Sequence, residues 1–515
     1  MLPTKVLTPR GYSLDKSALD AAATAKLRKA LVVTPHVPKS YAGAVKPFQV
    51  FAESVGRFYL PNAWGLKHYG PAERDIRARG APLRTELRFG GSLRPHQVEA
   101  LTAFRAAGRN GIICLPCGYG KTFTGIAAAV ADPETAGVCF MIVVHKEFLA
   151  EQWSEELKAL VPGIRIGRIQ GERCDIGEDV DVAIAMIQTI CSRNYPMGTF
   201  DRFGFAIFDE VHHLGAEHFS MALQRINCPR MLGLTATPKR ADGLSKVFEW
   251  HLGPIVYQIA RRPRDDTVIV EALRYTCDDP EYAEVPTNYR GETVRAHMIN
   301  RIASYGGRTS AVIEWLLPYL RDEPTRKLLV LSDRREHLMA FEAGFKGAGI
   351  DSVGYYVGGM KQKDLDVSAT ARVILGTFAM ASEGMNIPTL NMVLLATPKS
   401  NIEQSVGRIL RQKKEERTVQ PMIMDVLDEG FPECTGQWNK RRAFYVECGY
   451  MLRWAGSTEE MGTGRGGEEE TEGAKGTPLF VEEDESAPIA PVGRRSEIED
   501  IISHVRRGNA LFVDE

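Results

Sequence analysis

The chain has 515 residues, of which 44% are hydrophobic and 25% are charged. This length is too great for one hydrophobic core and predicts about two to four domains of ordinary globular composition. The 64 basic and 65 acidic side chains nearly cancel, which excludes a globally basic surface and requires a local groove for any contact with nucleic acid. No apolar run is long enough to span a bilayer, and the N-terminus has no signal-peptide core. We therefore expect a soluble, intracellular protein without a membrane partner.

Residues 1–89 form the first predicted domain, a small N-terminal accessory domain. Aromatic side chains such as Phe48 and Trp64 are interleaved here with basic ones such as Arg74 and Arg77. Such interleaving can bind single strands through phosphate contacts and base stacking. For the aromatic residues we favour the alternative, a hydrophobic core, whereas the arginines leave nucleic-acid binding open.

Residues 90–260 and 261–455 each alternate apolar, strand-like runs with helical stretches. This alternation is typical of a parallel sheet flanked by helices, so we predict the α/β class for both. Two similar units in one chain indicate a duplicated architecture with a ligand cleft between them. The predicted strands are 111–115, 138–144, 182–186, 205–208 and 231–234 in the first unit, and 327–331, 352–356, 372–375, 392–395 and 421–424 in the second.

A glycine-containing loop with the sequence LPCGYGKT follows the first of these strands. Gly118 and Gly120 let the backbone wrap closely enough for successive N–H groups to converge on phosphate oxygens. Lys121 would then reach the β and γ phosphates of ATP, and the hydroxyl of Thr122 would ligate Mg²⁺. Leu115 stands where the complete phosphate-loop pattern has glycine, so an ordinary strand–helix turn is the alternative.

The sequence AIFDEVHH predicts the second half of that site. An apolar strand ends in two carboxylates, of which Asp209 would hold Mg²⁺ through its water shell and Glu210 would activate the attacking water. The alternative is a solvated strand end. His213 is interpreted as a relay and not as a metal ligand, because adjacent histidines on a strand point to opposite faces. Further along, the hydroxyls of Thr235 and Thr237 suit hydrogen bonding to the acidic segment, which would transmit the state of the nucleotide.

The sequence QSVGRILR lies towards the end of the second unit. On a helix, Gln404, Arg408 and Arg411 fall on one face. Such a face can present two guanidinium groups across a cleft to a γ-phosphate, as arginine fingers supplied by the second domain. Taken alone, the segment would be interpreted as a solvent-facing basic helix.

Residues 456–515 are predicted to form a disordered linker with a short C-terminal helix. The part up to residue 491 is rich in Gly, Glu, Ser and Thr and poor in apolar residues. Ser496 and Glu499 then form a capping box for an amphipathic helix that Gly508 ends. This helix either docks on a partner or folds back on the body, and the sequence leaves both open.

Taken together, the ordered motifs LRPHQ, CGYGKT, DEVHH, LTATP, TFAMASEGMNIP and QSVGRILR resemble those of superfamily-2 DExH helicases. Within that group the chain is most similar to the XPB-like DNA helicases and to the transcript-release helicase of poxviruses and other large DNA viruses. The resemblance covers residues 93–412 and implies two tandem RecA-like domains. That family uses LPCG-x-GK in its phosphate loop, which accounts for Leu115.

The resemblance also implies roles for individual residues. It assigns adenine recognition to Arg94 and Gln97; nucleotide contact to Pro116, Cys117, Gly118, Tyr119, Gly120, Lys121, Thr122 and Gly384; Mg²⁺ to Thr122 and Asp209; and catalysis to Lys121, Asp209, Glu210, Gln404, Arg408 and Arg411. It assigns contact with the nucleic-acid backbone to Gln188, Thr189, Ser332 and Thr377, and coupling to His213, Thr235 and Thr237. Two departures are Asn386, where the family usually has Asp, and Arg240-Ala241-Asp242, which only partly matches the Arg-Glu-Asp element of XPB.

The expected function is that of an ATP- and Mg²⁺-dependent DNA helicase or translocase, acting in viral transcription (transcript release), replication or repair. The alternatives are an RNA helicase and an ATP-driven factor that removes transcripts or proteins without unwinding. Kinship with viral proteins implies a place in the virion or in a viral factory of the host cytoplasm. The N-terminal domain and the C-terminal helix suit docking on transcription or replication machinery.

Overall fold

The computed structural model describes residues 3–36, 46–116, 118–132, 137–212, 217–237, 242–259, 264–284, 287, 291, 293–383, 385, 387–407, 417–459 and 461. These residues belong to two compact units, one within Met1–Ala260 and the other within Arg261–Pro478. The predicted C-terminal tail lies outside the described residues from 462 onward. None of the helices in the described ranges has both the length and the apolar character that crossing a membrane requires.

The first unit begins with a small sheet of mostly antiparallel strands in the order β5-β6-β2-β1-β7. Only β1 and β7 pair in parallel among these strands. Phe51, Phe58 and Trp64 are buried in its core, the arrangement favoured above for the aromatic residues. The elements are β1 (Lys5–Thr8), β2 (Gly11–Asp15), a 3-10 turn (Lys16–Ala18), α1 (Ala21–Ala30), β3 (Val32–Val33), β4 (Phe48–Gln49), β5 (Ala52–Glu53), β6 (Arg57–Leu60), α2 (Asn62–Tyr69) and β7 (Arg74–Asp75).

An eight-stranded sheet follows in the same unit, in the order β11-β10-β12-β9-β13-β14-β8-β15. Its strands pair in parallel except for β10 with β11. The elements are α3 (Pro95–Ala106), β8 (Asn110–Cys114), α4 (Lys121–Val130), β9 (Phe140–Val144), α5 (Glu147–Leu160), β10 (Ile166–Gln170), β11 (Arg173–Cys174), β12 (Val182–Met186), α6 (Ile187–Ser192), β13 (Phe205–Asp209), α7 (Glu217–Arg225), β14 (Arg230–Thr235), α8 (Ser245–Leu252) and β15 (Ile255–Gln258).

The central strands of this sheet are continuous apolar runs because helices cover both faces. Strand β14 lies between β13 and β8, with Asp209 opposite Leu234 and Thr235 opposite Cys114. The carboxyl ends of these three strands therefore meet at one edge of the sheet, where ligands bind in open α/β sheets. Among the described residues, the end of the phosphate loop at Lys121 and the acidic pair Asp209 and Glu210 lie at this edge.

The second unit contains a seven-stranded sheet in the order β18-β19-β17-β20-β21-β16-β22, with every pair parallel. Two parallel α/β sheets in one chain confirm the predicted fold class. The elements are β16 (Ile269–Tyr275), α9 (Pro280–Ala283), α10 (Arg295–Ser304), α11 (Gly306–Asp322), β17 (Leu328–Leu331), α12 (Arg335–Gly347), β18 (Val353–Tyr356), α13 (Gln362–Ser368), β19 (Val373–Gly376), α14 (Phe378–Glu383), β20 (Met392–Leu395), α15 (Glu403–Val406), β21 (Met422–Asp428), α16 (Pro432–Cys448) and β22 (Met451–Trp454).

Candidate active site

The predicted phosphate loop joins β8 to α4. The backbone N–H of Leu115 donates to the carbonyl of Thr235 on β14 at 3.0 Å, which fixes the start of the loop. Leu115 is fully buried, so its apolar side chain replaces the expected glycine by packing into the core. At the other end, Gly120 has φ +75°, and a Cβ there would lie 2.5 Å from Nε2 of Gln97. Both features favour glycine, and the loop then leads into Lys121, the first residue of α4.

Gln97 supports the phosphate loop from helix α3. Its Oε1 accepts from the N–H of Arg94 at 2.8 Å, and its Nε2 donates to the carbonyls of Tyr119 and Gly120, both at 3.3 Å. The ring of His96 also contacts the carbonyl of Tyr119, at 3.1 Å. The structure thus places Gln97 beside the predicted phosphate loop, while adenine recognition by Arg94 and Gln97 stays a prediction.

The two predicted carboxylates lie at the end of β13, next to the loop. Nζ of Lys121 is 3.2 Å from Oε1 of Glu210. Asp209 is buried, and its Oδ2 accepts from Nε1 of Trp153 on α5 at 2.8 Å while its Oδ1 accepts from the N–H of Glu210 at 3.0 Å. Lys121 is far in the sequence from the adjacent acids Asp209 and Glu210, and the fold brings these three residues together.

These carboxylates differ in their electrostatic environment. Burial, reinforced by the charge of Glu210, raises the pKa of Asp209 to about 6. Burial acts in the same direction on Glu210, but the charges of Lys121 and His212 outweigh it and hold the pKa of Glu210 below its usual range. Glu210 is therefore ionised at neutral pH, the state that can accept a proton. Ionisation of Asp209 is unfavourable in this environment, and a bound cation would stabilise the ionised carboxylate.

Glu210 is also held in a strained conformation. Its φ is +48°, a region that residues other than glycine rarely adopt. Its Oε2 has no hydrogen-bond partner within the described ranges, although Nδ1 of His212 lies 3.4 Å away. Backbone strain and an unsatisfied buried oxygen are both concentrated at functional sites in proteins. This one residue has both.

Thr235 links the acidic segment to the end of β14. Its buried Oγ1 lies 3.1 Å from Nδ1 of His212, donates to the carbonyl of Thr237 at 3.0 Å and accepts from the N–H of Thr237 at 3.1 Å. Because His212 also faces Glu210, a continuous polar chain joins the LTATP segment to the acidic strand end. Coupling through Thr235 and Thr237 stays a prediction, to which the geometry adds His212. His213, the predicted relay, lies outside the described residues.

The four predicted nucleic-acid contacts differ in exposure. Gln188 at the start of α6 is exposed and Thr377 is half-buried. Thr189 is buried, and its Oγ1 accepts from the N–H of Gly171 at 3.0 Å. Ser332 is fully buried, and its hydroxyl lies 3.1 Å from a histidine ring. All four stay predictions, but the burial of Thr189 and Ser332 favours support of neighbouring loops over direct contact.

Part of the predicted site lies outside the described residues: Cys117, His213, Gly384, Arg408 and Arg411, together with the departures Asn386, Arg240 and Ala241. Gln404 lies on α15. The loop before it is anchored at two points, where Nη1 of Arg308 donates to the carbonyl of Ala396 at 2.9 Å and Nη1 of Arg441 donates to that of Lys399 at 2.6 Å. The third member of the partial XPB-like element, Asp242, accepts from the N–H of Leu244 at 3.0 Å.

Two residues at this site were missed from the sequence, Trp153 and His212. Trp153 lies four residues after Leu149 and four before Leu157, and all three are buried on one face of α5. That spacing indicates an ordinary core residue, so the sequence contains no signal of its bond to Asp209. His212 did have a signal, its position directly after the acidic pair, but the relay role was given to its neighbour.

Comparison with known proteins agrees with this geometry. A family model described as type III restriction enzyme, res subunit, matches residues 91–240, the segment that contains the phosphate loop and the acidic strand end. The DNA 3′-5′ translocase XPB2 of Sulfurisphaera tokodaii is 37% identical over 171 residues, which cover 32% of this chain and 35% of that protein.

Two viral relatives match over longer stretches. A protein of African swine fever virus, named "Putative ATP-dependent RNA helicase", is 26% identical over 61% of this chain and 64% of its own length. A protein of Acanthamoeba polyphaga mimivirus, named "Putative ATP-dependent RNA helicase L396", is 31% identical over 463 residues, which cover 88% of this chain and 87% of that protein. This extent of similarity confirms the resemblance found in the motifs: the chain belongs to the superfamily-2 helicases, a family of ATP-dependent enzymes.

Proposed function

We propose that this chain is a nucleic-acid-stimulated ATPase that acts on DNA as a helicase or translocase. Its hydrolytic centre is formed by Lys121, Thr122, Asp209 and Glu210. The observation that carries the proposal is the 3.2 Å contact between Nζ of Lys121 and Oε1 of Glu210, which joins the phosphate loop to the acidic strand end. Membership of an ATP-dependent helicase family supports ATP as the substrate.

The described residues suit a triphosphate at this place. The loop ends at the N-terminus of α4, where backbone N–H groups and the helix dipole favour an anion. A Cβ at Gly118 would meet no heavy atom within 4 Å, so the loop has open space on that side. The Oε2 atom of Glu210 lacks a hydrogen-bond partner among the described residues and can accept one from a water molecule.

Thr122 and Asp209 are the residues that we propose for Mg²⁺. A hydroxyl and a carboxylate are oxygen ligands of the kind that this ion binds, directly or through its waters. The raised pKa of Asp209 fits this role, because a nearby cation would favour the ionised carboxylate. When bound, Mg²⁺ would neutralise charge on the phosphates.

Lys121 and Glu210 form an ion pair, with Nζ 3.2 Å from Oε1. Entry of a γ-phosphate gives Lys121 a stronger anionic partner, which leaves the carboxylate of Glu210 to orient a water molecule. The water oxygen attacks phosphorus as its proton passes to Glu210, and ADP leaves. The polar chain through His212 and Thr235 then transmits the loss of the γ-phosphate to the rest of the first unit. Gln404, Arg408 and Arg411 remain the proposed γ-phosphate sensor and arginine fingers.

Two classes of nucleic acid are supported by different relatives. DNA is favoured by the XPB-like motif spellings and by the higher identity to the XPB2 translocase over the matching segment. RNA is the second candidate, because the viral relatives that match over most of this chain carry the name of RNA helicases. Since superfamily members of this kind grip the sugar–phosphate backbone, we expect little sequence specificity. The viral kinship further supports a role in transcription or replication of a large DNA virus.

The test is ATP hydrolysis by the full chain, titrated with single-stranded DNA, duplex DNA and RNA of matched length. We expect DNA to stimulate hydrolysis most, and Lys121→Ala to abolish the stimulated rate. The matched control is Lys158→Ala, which removes an exposed lysine of α5 in the same unit. Stimulation by RNA alone would replace DNA by RNA as the substrate, and normal turnover of Lys121→Ala would refute the ATP site.

A second pair of assays separates unwinding from removal of transcripts. Strand displacement on a partial duplex reports helicase activity. Release of a labelled RNA from a stalled transcription complex reports the alternative, an ATP-driven factor without unwinding. The proposal expects ATP-dependent displacement, and release without any displacement would favour the alternative.

A further inference from the structure

Helix α5 contributes one side chain to the acidic strand end. The indole of Trp153 is 1% exposed, and its Nε1 donates to Oδ2 of Asp209 at 2.8 Å. The other oxygen of this carboxylate accepts from the backbone N–H of Glu210 at 3.0 Å. With one donor on each oxygen among the described residues, rotation of the carboxylate about its Cβ–Cγ bond would break both hydrogen bonds. The indole is the only one of the two donors that a substitution can remove.

The same indole also packs against the phosphate-loop helix. A Cβ at Gly125 of α4 would lie 2.8 Å from Cη2 of Trp153, closer than side-chain atoms pack, so glycine is what lets the ring approach the helix. Gly125 is one turn beyond Lys121 and Thr122 on α4. One rigid bicyclic side chain thus spans the space between the helix that carries Thr122 and the strand that carries Asp209.

We propose that Trp153 is a positioning residue for Mg²⁺: it fixes the orientation of the Asp209 carboxylate and its spacing from Thr122, and thereby sets the affinity of the site for the ion. This inference rests on the function proposed above, in which Thr122 and Asp209 hold Mg²⁺. An indole N–H suits the task because it is a neutral donor. It orients the carboxylate and leaves its negative charge available to a cation, whereas a guanidinium at the same place would neutralise that charge.

A positioning role differs in its consequences from a purely structural one. If Trp153 only fills space in the core, its loss changes stability and leaves the metal dependence of nucleotide binding as it was. If it orients Asp209, its loss weakens binding of the ion and spares the contacts that the phosphate loop makes without the ion. Loss of a hydrogen bond to a metal-binding carboxylate typically costs about 10- to 100-fold in metal affinity.

The experiment compares Trp153→Phe with the unmodified chain by direct binding of a fluorescent ATP analogue. Affinity is measured in excess EDTA and then over a Mg²⁺ series, so the readout does not depend on turnover. We expect the affinity without metal to change by less than about 2-fold, and the Mg²⁺ concentration for half-maximal enhancement to rise about 10-fold. The matched control is Trp64→Phe, which removes another buried indole of the first unit. A Trp153→Phe protein with unchanged Mg²⁺ dependence overturns the inference.

Two further variants keep the test decisive if Trp153→Phe fails to fold. Replacing Trp153 by β-(3-benzothienyl)alanine exchanges the indole N–H for sulfur and keeps the bicyclic ring, so only the hydrogen bond is lost. It should show the same increase in Mg²⁺ requirement, and an unchanged requirement overturns the inference. In Gly125→Ala the new methyl group must displace the ring, so we expect a similar increase in the Mg²⁺ requirement. Combining Gly125→Ala with Trp153→Phe should raise this requirement no further. Strictly additive effects of the two substitutions would also overturn the inference. If the unmodified chain shows no Mg²⁺-dependent nucleotide binding, the proposed function itself fails.

Discussion

Both sheets carry buried carboxylates on their strands, but the hydrogen-bond partners of these carboxylates differ between Asp209 in the first unit and Asp425 and Asp428 in the second. In the second unit, Asp425 on β21 receives two hydrogen bonds from Arg441, both 2.8 Å, and one from the hydroxyl of Tyr445 at 2.7 Å. On the same strand, Asp428 receives two from Arg308, at 2.5 and 3.0 Å. Both acids are completely buried and paired with arginines, so their negative charges stabilise the fold through these ion pairs.

In the first unit, the two acids at the carboxyl end of β13 have weaker partners, although Asp132 and Asp181 in the same unit are paired with arginines. Asp209 accepts from a neutral indole where Asp425 accepts from a guanidinium, and Glu210 is paired with the ammonium of Lys121, which in the proposed mechanism turns to a phosphate. Glu210 has a positive φ and an unsatisfied carboxylate oxygen, whereas Asp425 has neither within the described residues. The difference teaches that a buried acid becomes chemically available when its partner is neutral or able to leave, and not simply because it is buried.

The largest expected effect tests the chemical side of this comparison. Glu210→Gln keeps the size of the side chain but removes the base, and general-base catalysis contributes about 10²- to 10⁴-fold to a rate. We expect nucleic-acid-stimulated ATP hydrolysis to fall by at least about 100-fold while nucleotide still binds, as measured by turnover beside direct binding. Wild-type turnover in this variant would mean that Glu210 is as structural as Asp425.

The structural side is tested by Asp428→Asn. The substitution leaves the guanidinium of Arg308 buried without its counter-charge, which typically costs about 3–5 kcal/mol of stability. We expect a loss of this size in the free energy of unfolding, measured with urea. The control is Arg173→Met, which breaks an ion pair whose arginine side chain is 63% exposed and should cost less than about 1 kcal/mol. A loss at Asp428 no larger than that of the control would remove the distinction between the two sheets.

How much of this contrast is visible in the sequence depends on the range of the interactions involved. The phosphate loop and the acidic pair are short local patterns whose residue types are dictated by phosphate and metal chemistry, so both were predicted. Their meeting followed from the parallel sheet, because the carboxyl ends of neighbouring strands share an edge. The parallel α/β fold of both units followed from continuous apolar runs alternating with helices.

What the sequence did not predict depends on tertiary contacts. Trp153 looks like any apolar residue on the buried face of α5. Arg308, which neutralises Asp428, lies 120 residues away on α11, and Arg441, which neutralises Asp425, lies on α16, the helix that follows β21. The histidine contact was missed for a different reason. The sequence argument extended the strand through the histidines, but β13 ends at Asp209 and the left-handed turn at Glu210 sends His212 towards Thr235. Strand alternation no longer applies beyond that turn.

A substitution of the same kind as Asp428→Asn should have the opposite sign in the first unit. Burial and the charge of Glu210 raise the pKa of Asp209, so its ionised form is less stable in the folded chain than in the unfolded one. Asp209→Asn removes that charge and keeps an oxygen to accept from Trp153. In metal-free protein at neutral pH we expect the free energy of unfolding to rise by about 3 kcal/mol, measured with urea, while ATP hydrolysis is lost. Destabilisation comparable to that of Asp428→Asn would show that both acids serve the fold.

The smallest effect extends the comparison from buried acids to a buried base. His251 on α8 is buried, its Nε2 has no hydrogen-bond partner within the described ranges, and burial lowers its pKa to about 3. The unfolded chain protonates histidine near pH ~6.5, so between these values the unfolded state binds the extra proton and stability falls as the pH falls. From about pH 7 to about pH 5.5 this one residue should cost about 1 kcal/mol. Urea unfolding of His251→Gln at both pH values should show that much less acid sensitivity, with His68→Gln as the exposed control. If His251→Gln left the acid sensitivity unchanged, His251 would take up a proton in the folded chain as readily as in the unfolded one.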